Sequence, residues 1–240
     1  MTRTMRRALA IGLLVLPCAC GRGEPETAAA KEDPPAGGAP AGGAVPAFSK
    51  VGLDDPVAGA GDFIMASITG GSSIQTGPRG DAIVWRGSDL AEAGSFRALA
   101  HMEEHSVSLD QLEGYGLILG GHDLDAPGIR YTYFVARGTG EYAIGRREGA
   151  NTTMIVDWKA SDTVRKVVTP GEVLTNWLEV QVRPDSTRFF VNELLVETLT
   201  TDRVQPYGVT GLRINRMLDL RVFGFELKPG QVPTGGDPPL

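Results

Sequence analysis

The chain has 240 residues, a net charge of −6 and two cysteines, so its length allows one ordinary domain with additional segments. Its 29 Asp and Glu residues outnumber 23 Lys and Arg residues, which argues against nucleic acid as a partner, because phosphate contact requires a surplus of basic side chains. Glycine (32) and proline (16) are frequent, and their positions indicate where the chain does not build a core.

The first 19 residues are typical of an export signal. Arg3, Arg6 and Arg7 form a basic start without an acidic residue, and an apolar stretch over 8–17 follows. This stretch is too short for a permanent membrane span, which needs about 20 apolar residues. We therefore predict a signal peptide over residues 1–19.

Both cysteines follow the apolar stretch. Cys20, preceded by Ala19, resembles the lipidated cysteine of a bacterial lipoprotein signal. The sequence therefore predicts lipidation at Cys20 and a membrane-anchored protein of the bacterial cell envelope, either periplasmic or surface-exposed; Cys18 and simple secretion are the alternatives. Removing residues 1–19 leaves 20 basic and 29 acidic residues, a net charge of −9. The remaining chain has no cysteine beyond Cys20, so disulfides, thiolate metal ligands and cysteine nucleophiles are excluded in the folded part.

The segment over 20–47 is predicted to be a disordered tether. Between residues 21 and 47 it contains 6 Gly, 5 Pro and 8 Ala and no aromatic residue. Such a composition buries too little apolar surface to offset the entropy of ordering the chain. A second disordered segment is predicted over 229–240, which leaves one domain over residues 48–228.

Within this domain the apolar residues recur with a period of two, as in Leu178, Val180 and Val182. Glycine-containing turn signals, such as Gly120-Gly121, recur about every ten residues, which favours a sandwich or barrel of antiparallel strands. The last strand changes face, which predicts a bulge near Val222 or Gly224. The predicted strands cover residues 115–119, 131–137, 141–146, 153–158, 176–183, 188–191, 194–199, 211–215 and 218–227.

The order of these segments, from YGLILGG through NWLEVQV and FFVN to LDLRVFGFEL, resembles the concanavalin A-like lectin/glucanase jelly roll. It is similar in particular to the laminin-G-like and 3-keto-disaccharide hydrolase-like domains of bacterial envelope proteins. The resemblance covers roughly residues 115–227 and implies an all-β, antiparallel two-sheet sandwich. Where many relatives have Gly after the Asn of FFVN, this chain has Glu193. The fold does not by itself define a function.

His101 and His105 match the H-x-x-E-H pattern of one class of zinc metalloprotease. Two histidines at this spacing bind one zinc ion only on a helix. The residues from Phe96 to Met102 alternate as in a strand, and the jelly-roll resemblance also implies a strand here. On a strand the two histidines would lie about 13 Å apart, so we expect strand or loop histidines rather than a zinc site.

Asp123 and Asp125 follow Gly120-Gly121 in a predicted loop. Carboxylates and backbone carbonyls are ligands that Ca²⁺ prefers, so these residues are a candidate calcium site. The alternative is a turn stabilised by aspartate side chains. No other cofactor is expected.

The carboxylate pattern of the glucanases that share this fold is missing. The resemblance leads us to expect E-x-D-x-x-E on one strand, and no such string occurs. Glu103 and Glu104 are adjacent, so on a strand they point to opposite faces. No catalytic residue is therefore predicted.

Aromatic and planar polar side chains could form a carbohydrate-binding surface. Tyr131 and Tyr133 share one strand face, and Arg213 and Asn215 share another, so both pairs could line a concave sheet. Trp85 and Trp177 are further aromatic candidates, and the alternative for all the aromatic side chains is burial in the core. The predicted ligand-binding residues are Tyr131, Tyr133, Trp158, Arg130, Arg146, Arg213 and Asn215.

Three functional hypotheses follow. The first is a non-catalytic module that binds a carbohydrate or an envelope polymer. The second is a glycoside-processing hydrolase, as the 3-keto-disaccharide hydrolase resemblance implies. The third is a structural domain that joins other envelope proteins.

Overall fold

The computed structural model describes residues 50–53, 63–79 and 81–232. The predicted signal peptide, Cys20 and the predicted tether lie outside these residues. Of the predicted tail over 229–240, residues 229–232 are described, and Pro229 is the last residue of the final strand.

The described residues form fourteen strands and one short helix, numbered in chain order. Among them no helix is long and apolar enough to cross a membrane. The strands are β1 (Lys50–Leu53), β2 (Phe63–Ile68), β3 (Gly71–Thr76), β4 (Ala82–Ala91), β5 (Phe96–His105), β6 (Gly114–His122), β7 (Arg130–Arg137), β8 (Glu141–Glu148), β9 (Asn151–Ala160), β10 (Leu174–Val182), β11 (Ser186–Val191), β12 (Leu194–Thr200), β13 (Gly208–Ile214) and β14 (Asp219–Pro229), and the helix is α1 (Thr201–Val204).

The strands form two seven-stranded antiparallel sheets. Sheet A has the order β1-β4-β13-β6-β7-β8-β9, and sheet B has the order β12-β11-β10-β5-β14-β3-β2. The predicted all-β two-sheet sandwich is therefore confirmed. Several neighbouring strands are far apart in sequence, for example β4 and β13, so long-range pairing sets the strand order.

The main core lies between the sheets because alternate residues of each strand point inward. Phe134 of sheet A lies at its centre and contacts Phe189 of sheet B with ring centroids 5.2 Å apart. Tyr142 packs edge-on against the same Phe134 ring, with centroids 6.2 Å apart. These edge-to-face contacts are the geometry that aromatic rings prefer, so they add to the burial energy.

The His101–His105 segment is part of β5, and its burial alternates strictly. Met102 and Glu104 point into the core, while His101 and His105 lie on the outer face of sheet B. The strand prediction for this segment is confirmed, so the two histidines cannot bind one ion as a helical pair would.

Two local irregularities follow from the sequence. β14 contains a bulge opposite β5 between Val222 and Gly224, as its change of face predicts.

Asn192 and Glu193 form the two-residue turn between β11 and β12, with φ values of 49° and 71°. Such a turn requires positive φ at both positions, so Glu193 adopts a conformation that glycine would adopt without strain.

Candidate functional site

The candidate site is a cleft of about 520 Å³ at one end of sheet A. One wall consists of the last residues of β6 and β8 and the first residues of β7. The opposite wall is residues 201–207, which comprise α1 and the link to β13 and which we call the strap. The lining residues are Gly120, His122, Arg130, Tyr131, Thr132, Arg146, Glu148, Thr201, Asp202, Gln205, Pro206 and Tyr207.

Three side chains from neighbouring strands hold the strap through its carbonyl oxygens. His122 Nε2 lies 3.2 Å from the oxygen of Tyr207. Thr132 Oγ1 donates to the oxygen of Val204 over 2.5 Å, and Arg146 Nη2 donates to the oxygen of Arg203 over 2.5 Å. Because β6, β7 and β8 each supply one contact, the strap is fixed at three successive positions across the sheet end.

Gly120 allows the strap to lie directly on the sheet. A Cβ at this position would lie 2.1 Å from the oxygen of Gln205, and the φ of Gly120 is 62°. The interpretation of Gly120-Gly121 as a turn is wrong, because both lie within β6, at a shift in its pairing with β7. This irregularity and the missing side chain make room for the strap backbone.

Several polar side chains of the cleft are available to a ligand. Arg130, Glu148, Asp202 and Gln205 are exposed, and their side chains make no hydrogen bond or ion pair within the part of the chain that the structure describes. Arg146 uses one guanidinium nitrogen for the strap and has further donors. Two guanidinium groups and two carboxylates therefore surround the cleft, so its charge is balanced.

The cleft contains three of the predicted ligand-binding residues, namely Arg130, Tyr131 and Arg146. The sequence interpretation missed Asp202, Gln205 and Tyr207. The only local signal for the strap is the short Thr-Asp-Arg-Val segment before a proline, which indicates a turn but not its neighbours.

Other predicted residues lie on the outer face of sheet A. Arg213 Nη1 donates to the hydroxyl of Tyr131 over 2.6 Å, and its guanidinium lies 4.6 Å from the centroid of the Tyr133 ring. Arg213 also forms an ion pair with Asp81 at 2.6 Å and a hydrogen bond to Asn215 at 3.0 Å. The structure thus brings both predicted pairs together on one face. The side chains of this group are buried: Tyr131 is 2% exposed, Tyr133 6% and Arg213 7%. The two tyrosine rings are therefore not accessible to a ligand in this conformation.

Trp158 is a half-buried member of the same face. The guanidinium of Arg137 lies 4.0 Å from the centroid of the Trp158 ring. Asn215 donates to Glu113 over 3.3 Å at the margin of this face. The predicted ligand-binding set therefore divides between the cleft and the outer face of sheet A, and Tyr131 is the residue that both share.

Trp177 lies on the other sheet, away from this set. Its ring stacks on His101 on the outer face of sheet B, with centroids 4.5 Å apart, and Phe223 lies 5.7 Å beyond His101. Burial lowers the pKa of His101 despite the nearby charge of Glu103. His105 Nε2 lies 3.4 Å from a carboxylate oxygen of Glu103. Both histidines thus take part in contacts of the sheet surface.

The two candidate calcium ligands, Asp123 and Asp125, are exposed in the loop after β6. Asp123 has a φ of 50°, and its carbonyl oxygen accepts a hydrogen bond from the amide of Ala126 at 2.9 Å. In residues 63–79 and 81–232 no three His, Cys, Asp or Glu side chains come together as a metal site would require. The calcium site stays a prediction.

Solved structures share this fold at low sequence identity. The carbohydrate-binding module CBM66 from Bacillus subtilis is 12% identical, with a TM-score of 0.53 over 70% of this chain and 92% of the module. The metal-free Emp46p carbohydrate recognition domain is 7% identical, with a TM-score of 0.54 over 76% of this chain and 88% of that domain. The VIP36 exoplasmic/lumenal domain in its Ca²⁺/Man3GlcNAc-bound form is 8% identical, with a TM-score of 0.51 over 72% and 84%.

These likenesses, with the sheet topology, confirm the concanavalin A-like jelly roll that the sequence resembles. The sequence matches no protein-family description and no curated protein. At such identities the solved structures establish the fold, and the function must be argued from the site.

Proposed function

We propose that the protein is a non-catalytic carbohydrate-binding module whose site is the strap cleft. The observation that carries the proposal is the group of polar side chains around one cleft of about 520 Å³ that have no partner among the described residues, namely Arg130, Glu148, Asp202 and Gln205. Carboxylate and amide oxygens accept hydrogen bonds from sugar hydroxyls, and guanidinium and amide nitrogens donate to them. The volume is within the range of small-ligand sites.

The charge balance of the cleft favours a neutral, hydroxyl-rich ligand. Arg130 and Arg146 contribute two positive charges, and Glu148 and Asp202 contribute two negative charges. An anionic polymer would gain from the arginines but be repelled by the carboxylates, so electrostatic complementarity selects against it. The half-buried Tyr207 adds an aromatic surface for the apolar side of a sugar ring.

The solved structures support this class of function. Two of them are described as a carbohydrate-binding module and a carbohydrate recognition domain, and a third was solved with a mannose-containing ligand. All share the jelly roll, an architecture found in many lectin domains.

The binding proposal is tested with a glycan array followed by calorimetry on the best ligand. We expect Arg130→Ala to weaken binding about tenfold or more, because a hydrogen bond to a charged group contributes roughly 1.5–3 kcal/mol. The matched control is Arg221→Ala, which removes an exposed arginine on the outer face of sheet B and should leave the affinity unchanged. Equal affinity in both variants would contradict the site, and turnover of a bound glycoside would contradict the non-catalytic assignment.

We further propose that the module is exported to the bacterial cell envelope and anchored through a lipid on Cys20. The support is the basic start, the short apolar stretch and the Ala19-Cys20 pair. In a bacterial host fed an alkyne fatty acid, the full chain should become labelled and fractionate with membranes. Cys20→Ser should abolish the label while Cys18→Ser retains it. Labelling that depends on Cys18, or no labelling at all, would refute the Cys20 anchor.

A further inference from the structure

Glu104 is a buried acid that the proposed binding function does not use. It is the last inward-pointing residue of β5 and is 1% exposed. Both of its carboxylate oxygens are inaccessible, and neither has a hydrogen-bond partner in the described residues. Burial raises the pKa of Glu104 to about 8, because an ionised carboxylate is poorly solvated between the sheets.

The titratable group that faces Glu104 from sheet A is Tyr115, which is fully buried at the start of β6. Burial, and secondarily the charge of Glu104, raise the pKa of Tyr115, so the phenol is neutral. The Tyr115 hydroxyl accepts a hydrogen bond from Asn176 Nδ2 at 2.9 Å. Asn176, on β10, is a neutral amide, so neither neighbour offers a positive charge to an ionised Glu104.

Apolar side chains lie beside Glu104 near Gly138, and the charged residues of the segment over them, Arg165 and Lys166, are exposed. A Cβ at Gly138, between β7 and β8, would lie 3.5 Å from Glu104 Oε2, 2.8 Å from Val107 and 3.5 Å from Leu174. Val107, Leu174 and Val167 form a small separate cluster of buried side chains. This cluster seals the end of the core opposite to the strap cleft.

Residues 161–173, which we call the cover, lie over this end and contact it through backbone hydrogen bonds. The amide of Val167 donates to the oxygen of Gly138 over 2.9 Å, and the amide of Gly171 donates to the oxygen of Val107 over 2.8 Å. The amide of Arg165 donates to Asn176 Oδ1 over 3.0 Å. The first part of the cover has further anchors: Ser161 donates to the oxygen of Gly140, Asn192 donates to the oxygen of Thr163, and Val164 is part of the main core. The part over 165–173, which lies against Val107 and Gly138, has fewer such anchors and therefore opens at a lower free energy than the sheets around it.

We propose that Glu104 is a pH-sensitive lock on the cover. When Glu104 is the neutral acid, the side chains of Val107, Val167 and Leu174 stay packed together and the cover stays in place. Ionisation requires water at the carboxylate, and water reaches it when the cover separates from Val107 and Gly138. The cover therefore opens as the pH rises while the two sheets stay folded.

The test is amide hydrogen exchange of the full chain from pH 5 to pH 9, corrected for the intrinsic exchange rate. The probes are the three donor amides of the cover, at Arg165, Val167 and Gly171. Glu104 has the raised pKa when the cover is closed and the ordinary pKa of 4.5 when the cover is open. The free energy that favours the closed cover is therefore largest below about pH 4.5 and decreases up to about pH 8. We expect protection of the three amides to fall about tenfold per pH unit between about pH 5 and pH 8 and then to level off.

The matched variants are Glu104→Gln and Glu103→Gln on the same strand. Glu104→Gln should make the protection independent of pH, whereas Glu103→Gln, on the outer face, should follow the parent protein. The amide of Phe134 in the central core should show no such fall. A flat profile in the parent protein, or a parallel fall at Phe134, would overturn the lock even if Glu104→Gln did not fold. Identical profiles in the parent protein and a folded Glu104→Gln would also overturn it.

Discussion

Replacing Arg213 by Met is expected to lower the free energy of unfolding by about 3 kcal/mol. Arg213 is nearly buried and forms the 2.6 Å ion pair with Asp81 and the 2.6 Å hydrogen bond to Tyr131. Met retains much of the side-chain volume, so the loss reports the polar contacts rather than a cavity. Its cause is the loss of this donor to the partly exposed Asp81 carboxylate and to the buried Tyr131 hydroxyl. Urea denaturation followed by tryptophan fluorescence measures the effect.

The matched control is Arg216→Met. Arg216 forms a 2.8 Å ion pair with Glu113, but its side chain is 56% exposed, so the expected loss is below about 1 kcal/mol. A double variant, Asp81→Asn with Arg213→Met, should lose less stability than Arg213→Met alone, because both members of the ion pair are then neutral. If Arg213→Met proved as mild as Arg216→Met, the structural role of Arg213 would be refuted.

The second large effect is expected for Gly116→Ala. Gly116 lies in the middle of β6, paired with β13 on one side and β7 on the other. A Cβ there would lie 2.0 Å from the carbonyl oxygen of Phe134 and 2.8 Å from the Cα of Val135. Relieving this clash requires movement of the β7 backbone that positions the Phe134 ring in the core. We expect a loss of about 3 kcal/mol or failure to accumulate as folded protein.

Gly87→Ala provides the control for Gly116→Ala. Gly87 lies on β4, and a Cβ there would meet no atom of the described residues within 4 Å. Its stability should change by less than about 0.5 kcal/mol or increase slightly, because Ala reduces the entropy of the unfolded chain. Thermal unfolding monitored by circular dichroism compares the two variants, and equal melting temperatures would contradict the packing at Gly116.

Strand identity could be predicted from the sequence because side chains alternate across a sheet. The pattern Leu178, Val180, Val182 is enough to define the inner face of β10, and all three are fully buried. The same rule placed Glu103 and Glu104 on opposite faces and predicted the bulge at Val222. These features depend only on the order of residues within one segment, so they do not depend on how the strands are arranged in the sheets.

The candidate site could be predicted only in part. Arg130 and Arg146 are both among the predicted ligand-binding residues, and the β7–β8 hairpin places them at one end of sheet A. The strap, by contrast, reaches that end from more than 50 positions further along the chain, as the contact of Arg146 with Arg203 shows. No local pattern predicts such a contact, because sequence-based rules favour contacts between consecutive elements and this contact joins segments far apart in the chain.

The sequence by itself determined that the domain consists of strands and which residues of many of them point inward, since a period of two follows from strand geometry alone. The two-sheet class was implied by the resemblance to a known fold. The sequence also supplied the basis for the export and lipidation proposals. The tertiary structure decided that Arg213 is buried against Tyr131 and Asp81, that the strap completes a cleft, and that Glu104 has no partner in the described residues. The reason is that burial and charge pairing depend on which strands lie side by side, and that order is set by long-range backbone pairing across the whole domain.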